Sequence, residues 1–456
     1  MQFKPGTFTE RLQKFSFAVL TICFSIFISS CSLQQQIGKS AAVVLADSSL
    51  QNAHVGISIY EPATGKYWYN YNAEKYFVPA SNTKLPTCYA AMKYLGDSLI
   101  AGRIYSESDS LAILYPSGDP TFLQPDFIQQ NLFRELKRYK KIELNLSGFQ
   151  DDPLGSGWSW NDYNEDYMAE RSGFPIYGNL VRFDFTGKLP ASVPPVDISP
   201  DFHDIELSGD SLANIYKIKR FRIQRNLNAN VFSVIPTSGP YVPEAIPFRT
   251  ADYEIALALS DTLKFSADVI GRGIQRKYFQ YKGKAIHSQP TDSLLKIMMH
   301  RSDNFFAEQS LLMVSNEKLG IMNDSKIIDT LLKTDLKGLP QPPRWADGSG
   351  LSRYNLFSPK DFVYILNKMK DEFGMDRLKV ILPTGGRGTL SGYFLANKDR
   401  IFAKTGTLSG VVALSGFFYT RSNRLLIFSV LVNNHHGSAT AIRRTVEKYL
   451  QNVCNR

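Results

Sequence analysis

The spacing of apolar and polar residues divides the chain into stretches of different character. His54-Val-Gly-Ile-Ser-Ile-Tyr60 and Lys66-Tyr-Trp-Tyr-Asn-Tyr71 alternate about a turn at Gly65, which predicts a β-hairpin. A short helix is expected before it, over residues 40–50. After it, Pro79 stops the extended run, and Ala, Met, Lys and Leu carry an amphipathic helix that Gly96 ends. For about 185 residues the runs are then short and alternating: Leu111–Tyr115, Ile142–Leu146, Asn179–Phe185 and Ile215–Ile223. Turns such as Ser117-Gly-Asp-Pro120 and Leu189-Pro190 break them. Helical spacing returns at Asp292–Met299, Phe305–Leu319, Lys326–Leu332 and Lys360–Glu372. Three strand runs follow, Ile401–Thr405, Val411–Thr420 and Arg424–Asn433, then a helix with Ile442, Val446, Tyr449, Leu450 and Val453 on one face. Strands at both chain ends are expected to share one antiparallel sheet with helices on its faces, an α/β architecture interrupted by an inserted, mainly β region of one or two small domains. The boundaries read as 31–100 and 286–456 for the main body and 101–285 for the insert.

Charge and leader pattern add location. Lys4, Arg11 and Lys14 precede an apolar run from Phe15 to Ile28, a signal-peptide layout too short for a comfortable membrane span. It ends Ile28-Ser-Ser-Cys31, which resembles the lipobox of bacterial lipoproteins, so residues 1–30 are expected to be removed and Cys31 acylated. The alternative is a structural cysteine after an ordinary signal peptide. From residue 31 on, 49 Lys and Arg stand against 41 Asp and Glu, a formal +8, which suits a polyanionic envelope. The positives are scattered among acids and no nucleic-acid module is recognisable, so nucleic acid is not expected as a partner. The six histidines fall in no ligand spacing, and no metal or cofactor is expected. Cys88 lies seven residues after Ser81 on the same helix face, where a buried free thiol is expected rather than a disulfide to Cys454.

The candidate chemistry starts at Ser81 and Lys84. A serine in the first turn of a helix lies near unpaired N–H groups and the positive end of the dipole. A buried lysine three residues on shares its face and can give up its proton to become the base. Ser-x-x-Lys also occurs at Ser293/Lys296 and Ser315/Lys318, but those lie within or towards the end of helical runs and read as exposed helix positions. Two other stretches complete the set. In Ser302-Asp-Asn304 the hydroxyl can relay a proton to a leaving amine, and the amide can hold a substrate carbonyl or steady Lys84. In Lys404-Thr-Gly-Thr407 the ammonium is expected to depress the pKa of Lys84, and Thr405 and Thr407 to present hydroxyls to a carboxylate. Gly406 is expected to clear the strand edge for an extended peptide. Taken singly, each has a structural reading: Ser302 as a helix cap, Lys404 as a strand-end charge, Gly406 as a bulge. Ser159-Trp-Asn161 repeats the second pattern and reads as a loop of the insert.

In that order and at those element ends, the motifs resemble the penicillin-recognising serine enzymes, and among them the class C low-molecular-mass penicillin-binding proteins, D-alanyl-D-alanine carboxypeptidase/endopeptidases. The likeness covers nearly the whole mature chain. It includes the 221-residue interval from Ser81 to Ser302, Ser117-Gly-Asp-Pro-Thr121, Asp151-Asp-Pro-Leu154 with Gly157-Trp158, Asp347-Gly-Ser-Gly-Leu351 and Gly388-Thr-Leu390. The resemblance implies Ser81 as nucleophile, Lys84 as base, Ser302 as relay, Asn304 and Lys404 completing the site, and an oxyanion hole from the N–H groups of Ser81 and Thr407. It implies wall stem peptides as substrate, β-lactams as inhibitors and no cofactor. Many relatives are released into the periplasm, whereas this chain is expected to be anchored there. Two other functions stay open. One is a β-lactamase, which needs a carboxylate to position the deacylating water: Glu308 and Glu317 fall in the helix after Asn304 and no glutamate occurs again until Glu372, so Asp347 in the loop beyond would have to take over that water. The other is a non-catalytic wall-binding lipoprotein using Trp158 and Trp160.

Overall fold

A computed structural model describes residues 35, 37–108, 110–185, 196–200, 206–207, 221–236, 238, 244–270 and 283–455. The leader, Cys31 and most of the Ile215–Ile223 run lie outside the described residues. A helical segment at 37–45 precedes the hairpin of β1 (His54–Glu61) and β2 (Lys66–Tyr71). A 3-10 turn at Ala80–Thr83 then leads into α1 (Lys84–Tyr94). Next come β3 (Ser98–Ser108), β4 (Leu111–Pro116), α2 (Asn131–Leu136), β5 (Lys141–Leu144), β6 (Leu180–Phe185) and β7 (Val196–Ser199). β8 (Glu206–Leu207), β9 (Phe221–Arg225), β10 (Val231–Pro236), β11 (Glu244–Pro247), α3 (Asp252–Leu263), β12 (Ala267–Val269) and β13 (Lys284–Pro290) follow. The chain continues through α4 (Thr291–Arg301), α5 (Asn304–Leu319), α6 (Asp324–Lys333), α7 (Pro359–Phe373) and α8 (Met375–Ile381). It finishes with β14 (Ile401–Leu408), β15 (Val411–Tyr419), β16 (Leu425–Asn433) and α9 (Ala439–Cys454).

Strands from both ends of the chain share one antiparallel sheet, ordered β14-β15-β16-β1-β2. Its central strands are buried on both faces, which is why they read as near-continuous apolar runs. Along β16, Ile427 and Leu431 face a core built with α1, α4, α5 and α7, while Leu426, Phe428 and Val430 face one built with the 37–45 helix and α9. The first helix is thus shorter and earlier than the expected 40–50, because Ile37, Ala41 and Val44 set the buried stripe and the chain turns after residue 45. The free thiols Cys88 and Cys454 lie buried in the two separate cores, on opposite sides of this sheet.

The expected amphipathic character of the helix after Ser81 is not found. Every residue of α1 from Lys84 to Met92 is buried, since α4, α5 and α7 enclose it. Such a helix shows no polar face to solvent.

Between α1 and α4 the chain forms a third core and further sheets. β3 pairs with β13, so the ends of this stretch lie side by side, starting at Ser98 and finishing at Pro290. Its five-stranded sheet, ordered β12-β5-β4-β3-β13, contains the parallel pairs β4–β5 and β5–β12. Parallel neighbours need crossovers, and the stretches ahead of β5 and β12 contain α2 and α3, two helices that the alternating pattern did not reveal. Gln309 of α5 ties this region to the main body by donating to the carbonyls of Gly118 (2.8 Å) and Ser172 (3.0 Å).

Candidate active site

Five segments far apart in sequence meet at a cleft of about 580 Å³, whose walls include Ser81, Tyr167, Ser302, Asn304, Gly350 and Thr407. Ser81 does not open α1; it sits in the 3-10 turn just before it, with Lys84 as the first residue of the α-helix. Two backbone approaches hold that turn. A Cβ on Gly350, at φ +84°, would lie 1.9 Å from the Ala80 carbonyl oxygen. One on Gly406 would lie 2.7 Å from the Pro79 carbonyl oxygen and 3.1 Å from the Ser81 nitrogen. A side chain at Gly406 would thus collide with the Ser81 turn, which packs on β14 there. Asn82 is buried behind it. With its amide nitrogen facing Lys404 it donates to that residue's carbonyl (2.9 Å), and its oxygen accepts from Ser415 Oγ (2.6 Å).

Lys84 Nζ is fully buried among three oxygen atoms: Ser81 Oγ (3.0 Å), Asn304 Oδ1 (2.6 Å) and the Ser349 carbonyl (2.8 Å). The Asn304 amide is oriented by its other end, where Nδ2 donates to the Tyr167 carbonyl (3.0 Å). Burial lowers the pKa of Lys84 to about 8, and the negative potential of Asp303, Asp347 and Glu308 opposes the shift. Of the two causes expected from the sequence, burial is the leading one, and Lys404 is not among the principal ones. Lys404 itself is held well below its ordinary value by burial, then by Lys84 and Arg443.

The partners define which way protons can move. A neutral Lys84 has two N–H donors and one lone pair, while Asn304 Oδ1 and the Ser349 carbonyl can only accept. Both donors are then committed to these oxygens, and the lone pair faces the one partner that carries a proton, the Ser81 hydroxyl.

Ser302 occupies the break between α4 and α5 at φ +62°. It caps the C-terminus of α4 and is not the N-cap of α5, a task that falls to Asp303, whose carboxylate accepts from the Phe306 N–H (2.9 Å). Lys404 Nζ donates to Ser302 Oγ (2.8 Å) and to the Thr405 carbonyl (2.7 Å), so the Ser302 O–H is left to donate onward. Thr405 is largely buried, whereas Thr407 is exposed at the cleft.

The other two Ser-x-x-Lys pairs are elsewhere. Ser293 and Lys296 are exposed on α4, as expected. Ser315 is fully buried, contrary to the expectation, because its hydroxyl donates to the Ile321 and Asn323 carbonyls and closes the end of α5. The second Ser-x-Asn lies on the wall of the cleft, where Ser159 Oγ donates to its own Asn161 (2.5 Å).

Sequence reasoning missed the groups beneath Lys84. The Ser349 carbonyl that accepts its hydrogen bond belongs to a loop held by Asp347, whose carboxylate accepts from the N–H groups of Gly350 (2.8 Å) and Ser352 (2.6 Å), from Asn355 (2.7 Å) and from Trp158 Nε1 (3.0 Å). The Ser349 N–H donates to Glu308 (2.7 Å), which faces buried Arg171 at 3.6 Å. Burial and Asp347 push Glu308 up to about 8. The Asp347-Gly-Ser-Gly motif was visible in the sequence; its role as the acceptor beneath the lysine was not.

An antiparallel sheet between helical layers, with a serine–lysine pair at the foot of one helix and extra sheets inserted after it, is the fold of the penicillin-recognising serine enzymes. The chain belongs to the D-Ala-D-Ala carboxypeptidase 3 (S13) family, whose model matches residues 37–453. It is similar to a D-alanyl-D-alanine carboxypeptidase of Actinomadura sp., 28% identical over 443 residues, 87% of this chain and 80% of that one. It is also similar to D-alanyl-D-alanine carboxypeptidase DacB of Haemophilus influenzae, 25% identical over 406 residues, 80% of this chain and 82% of that one. The crystal structure of penicillin binding protein 4 from Haemophilus influenzae superposes with a TM-score of 0.69 at 22% identity, covering 88% of this chain and 96% of that one.

The left-handed backbone at Ser302 separates its conformation from its hydroxyl. Ser302→Gly is expected to be more stable than Ser302→Ala by about 1 kcal/mol in urea unfolding, since only glycine adopts that conformation freely. Both variants lose the oxygen that Lys404 holds, and both are expected to lose activity.

Proposed function

We propose that the chain acts as a serine D-Ala-D-Ala carboxypeptidase through an acyl-enzyme, with Ser81 as nucleophile, Lys84 as base and Ser302 as proton relay. The observation that carries this reading is the buried Lys84 amine, whose two acceptor-only partners leave its lone pair for Ser81. Substrate is held by Asn304, Lys404, Thr405, Gly406 and Thr407. Ser81 Oγ attacks the carbonyl of the penultimate D-alanine of a wall stem peptide while its proton passes to Lys84, and the oxyanion faces the N–H groups of Ser81 and Thr407. Collapse of the tetrahedral intermediate breaks the peptide bond. The leaving amine takes a proton through Ser302, and water hydrolyses the ester. The same steps on a cross-link give endopeptidase activity. In this reading residues 31–100 and 286–456 form the catalytic body and 101–285 an insertion.

β-Lactams mimic the acyl donor and are expected to remain bound. Rapid deacylation needs a carboxylate free to hold water. Glu308 is committed to the Ser349 N–H and Arg171, and Asp347 to four protein donors. The β-lactamase alternative therefore loses both of its internal carboxylates. The wall-binding alternative is weakened because Trp158 is engaged by Asp347 and by Arg171, which lies 5.7 Å from its ring, although Trp160 is 74% exposed. A lipid on Cys31 would hold the enzyme at the periplasmic side of the envelope. Among the described residues no helix is long and apolar enough to cross a membrane.

Three outcomes test the reading. Ser81→Ala should abolish covalent labelling by a fluorescent penicillin and lower D-alanine release by at least ~10³-fold. Persistent labelling would refute the nucleophile, and penicilloate release as fast as D-alanine release would favour a β-lactamase. Because the active form of Lys84 is neutral, kcat/KM should fall on acidification along a limb centred near about 8; an acid limb near 6 would point to another base. Cys31→Ala should move the protein from the membrane to the soluble fraction, and an unmodified N-terminus found elsewhere by mass spectrometry would exclude the anchor.

A further inference from the structure

Arg443 takes no part in the three motifs, yet the fold brings it to the cleft. It lies in the second turn of α9, and its Nη2 donates to the hydroxyl of Thr407, a residue of the cleft wall. It makes no ion pair among the described residues, and its Nε is buried without a hydrogen-bond partner. The carboxylate closest to it along the helix is committed elsewhere: Glu447 pairs with Arg444 (2.7 Å) and accepts from the Phe394 N–H (2.5 Å). Lys404, whose partners are a hydroxyl and a carbonyl, feels the positive charge of Arg443. Two basic side chains without carboxylate partners among the described residues therefore lie beside Thr407 and Ser302 at the cleft.

The bond to Thr407 has a second effect. A hydroxyl has one proton and two acceptor lone pairs. With an N–H of Arg443 directed at its oxygen, the Thr407 proton is turned away from α9. That leaves an O–H donor beside a guanidinium with spare N–H groups, an arrangement suited to an anionic carboxylate with two oxygens.

We propose that Arg443 is a substrate-binding residue that anchors the α-carboxylate of the leaving D-amino acid, together with Thr407. The inference rests on Ser81 acting as an acyl-transfer nucleophile, and it makes the C-terminal helix part of the specificity site. The carboxylate sits on the carbon that bears the leaving amine, so the anchor fixes the scissile bond over Ser81 for a terminal D-alanine. It does the same for a cross-link whose acceptor carbon keeps its carboxylate.

The test compares a peptide ending in D-Ala-D-Ala with the same peptide ending in D-alaninamide, using the full chain and its Arg443→Ala and Arg443→Lys variants. Wild type should prefer the acid. Arg443→Ala should lower kcat/KM for the acid by roughly 10- to 100-fold, the loss of one charge-assisted contact, and leave the amide within about twofold. Arg443→Lys should recover part of the loss, because it keeps the charge without the fork. Equal losses on acid and amide would make Arg443 a support for β14 and overturn the proposal, as would no loss on either. If Arg443→Ala does not fold, the acid-to-amide preference of Arg443→Lys decides: a reduced preference supports the anchor and an unchanged one refutes it. A wild type that releases no D-alanine from the acid would instead refute the parent reading.

Discussion

The structure is built around the burial of one amine. Placing Lys84 where solvent cannot reach it penalises its charged form, and any donor left unpaired there would cost further free energy. Each element around it supplies an acceptor. The turn before α1 brings the Ser81 hydroxyl, the start of α5 brings the Asn304 amide, and the loop at 347–352 brings the Ser349 carbonyl. None of these partners is a carboxylate. Asp303, Asp347 and Glu308 act from a distance, which limits the fall in the pKa of Lys84 to about 8 without an ion pair that would lock its proton. The linkage to folding follows in sign. The folded-state pKa lies below the ordinary lysine value of 10.5, so the stability penalty is full below about 8, where the lysine is charged in both states, and fades as pH rises towards 10.5.

Close backbone approach is the second requirement, and it assigns a structural task to residues that look chemical in the sequence. The Ser81 turn is gripped between Gly350 on one side and Gly406 on the other, with Gly348 lying 2.8 Å from the Ala307 carbonyl oxygen by its missing Cβ. Thr87 adds a hydrogen bond to the Gly348 carbonyl (2.7 Å), so α1 itself holds the loop that supplies the acceptor for Lys84. These glycines let three backbones meet within a few ångströms of the nucleophile, and a site made of short contacts between separate elements needs that room.

Local pattern made much of this legible. The β1–β2 hairpin, the three C-terminal strands and the stripe on α9 follow from periods of two and three to four residues, which neighbouring residues impose on one another. Ser81, Lys84, Ser302 and Asn304 stand at or beside helix ends as the pattern suggested, whereas Lys404 to Thr407 lie within β14, which runs on to Leu408 because its pairing with β15 continues past the expected end at Thr405. The misjudged features depend on contacts far apart in the chain. Whether α1 shows a polar face is decided by α4, α5 and α7, and whether Ser315 is exposed is decided by carbonyls after the end of α5. The parallel pairs of the inserted sheet, and the cause of the Lys84 shift, likewise depend on partners that no window of sequence contains.

The charges beneath the site extend this logic into the inserted region. Arg171, almost fully buried, faces Asp151 (3.0 Å), Asp324 (2.5 Å) and Glu308 (3.6 Å). One guanidinium cannot offset three desolvated carboxylates, and burial with mutual repulsion raises Asp151 to about 6 and Glu308 to about 8. Glu308 accepts from the N–H of Ser349, and the carbonyl of the same residue accepts from Lys84. An acid raised by burial and an amine lowered by burial thus lie on opposite sides of one residue, both displaced towards their neutral forms near the same pH. Arg171 comes from the stretch between α1 and α4, so that region acts on Glu308, one of the three carboxylates whose potential opposes the fall in the Lys84 pKa. Its removal would change the charge balance felt by Lys84 without touching any atom of the cleft wall.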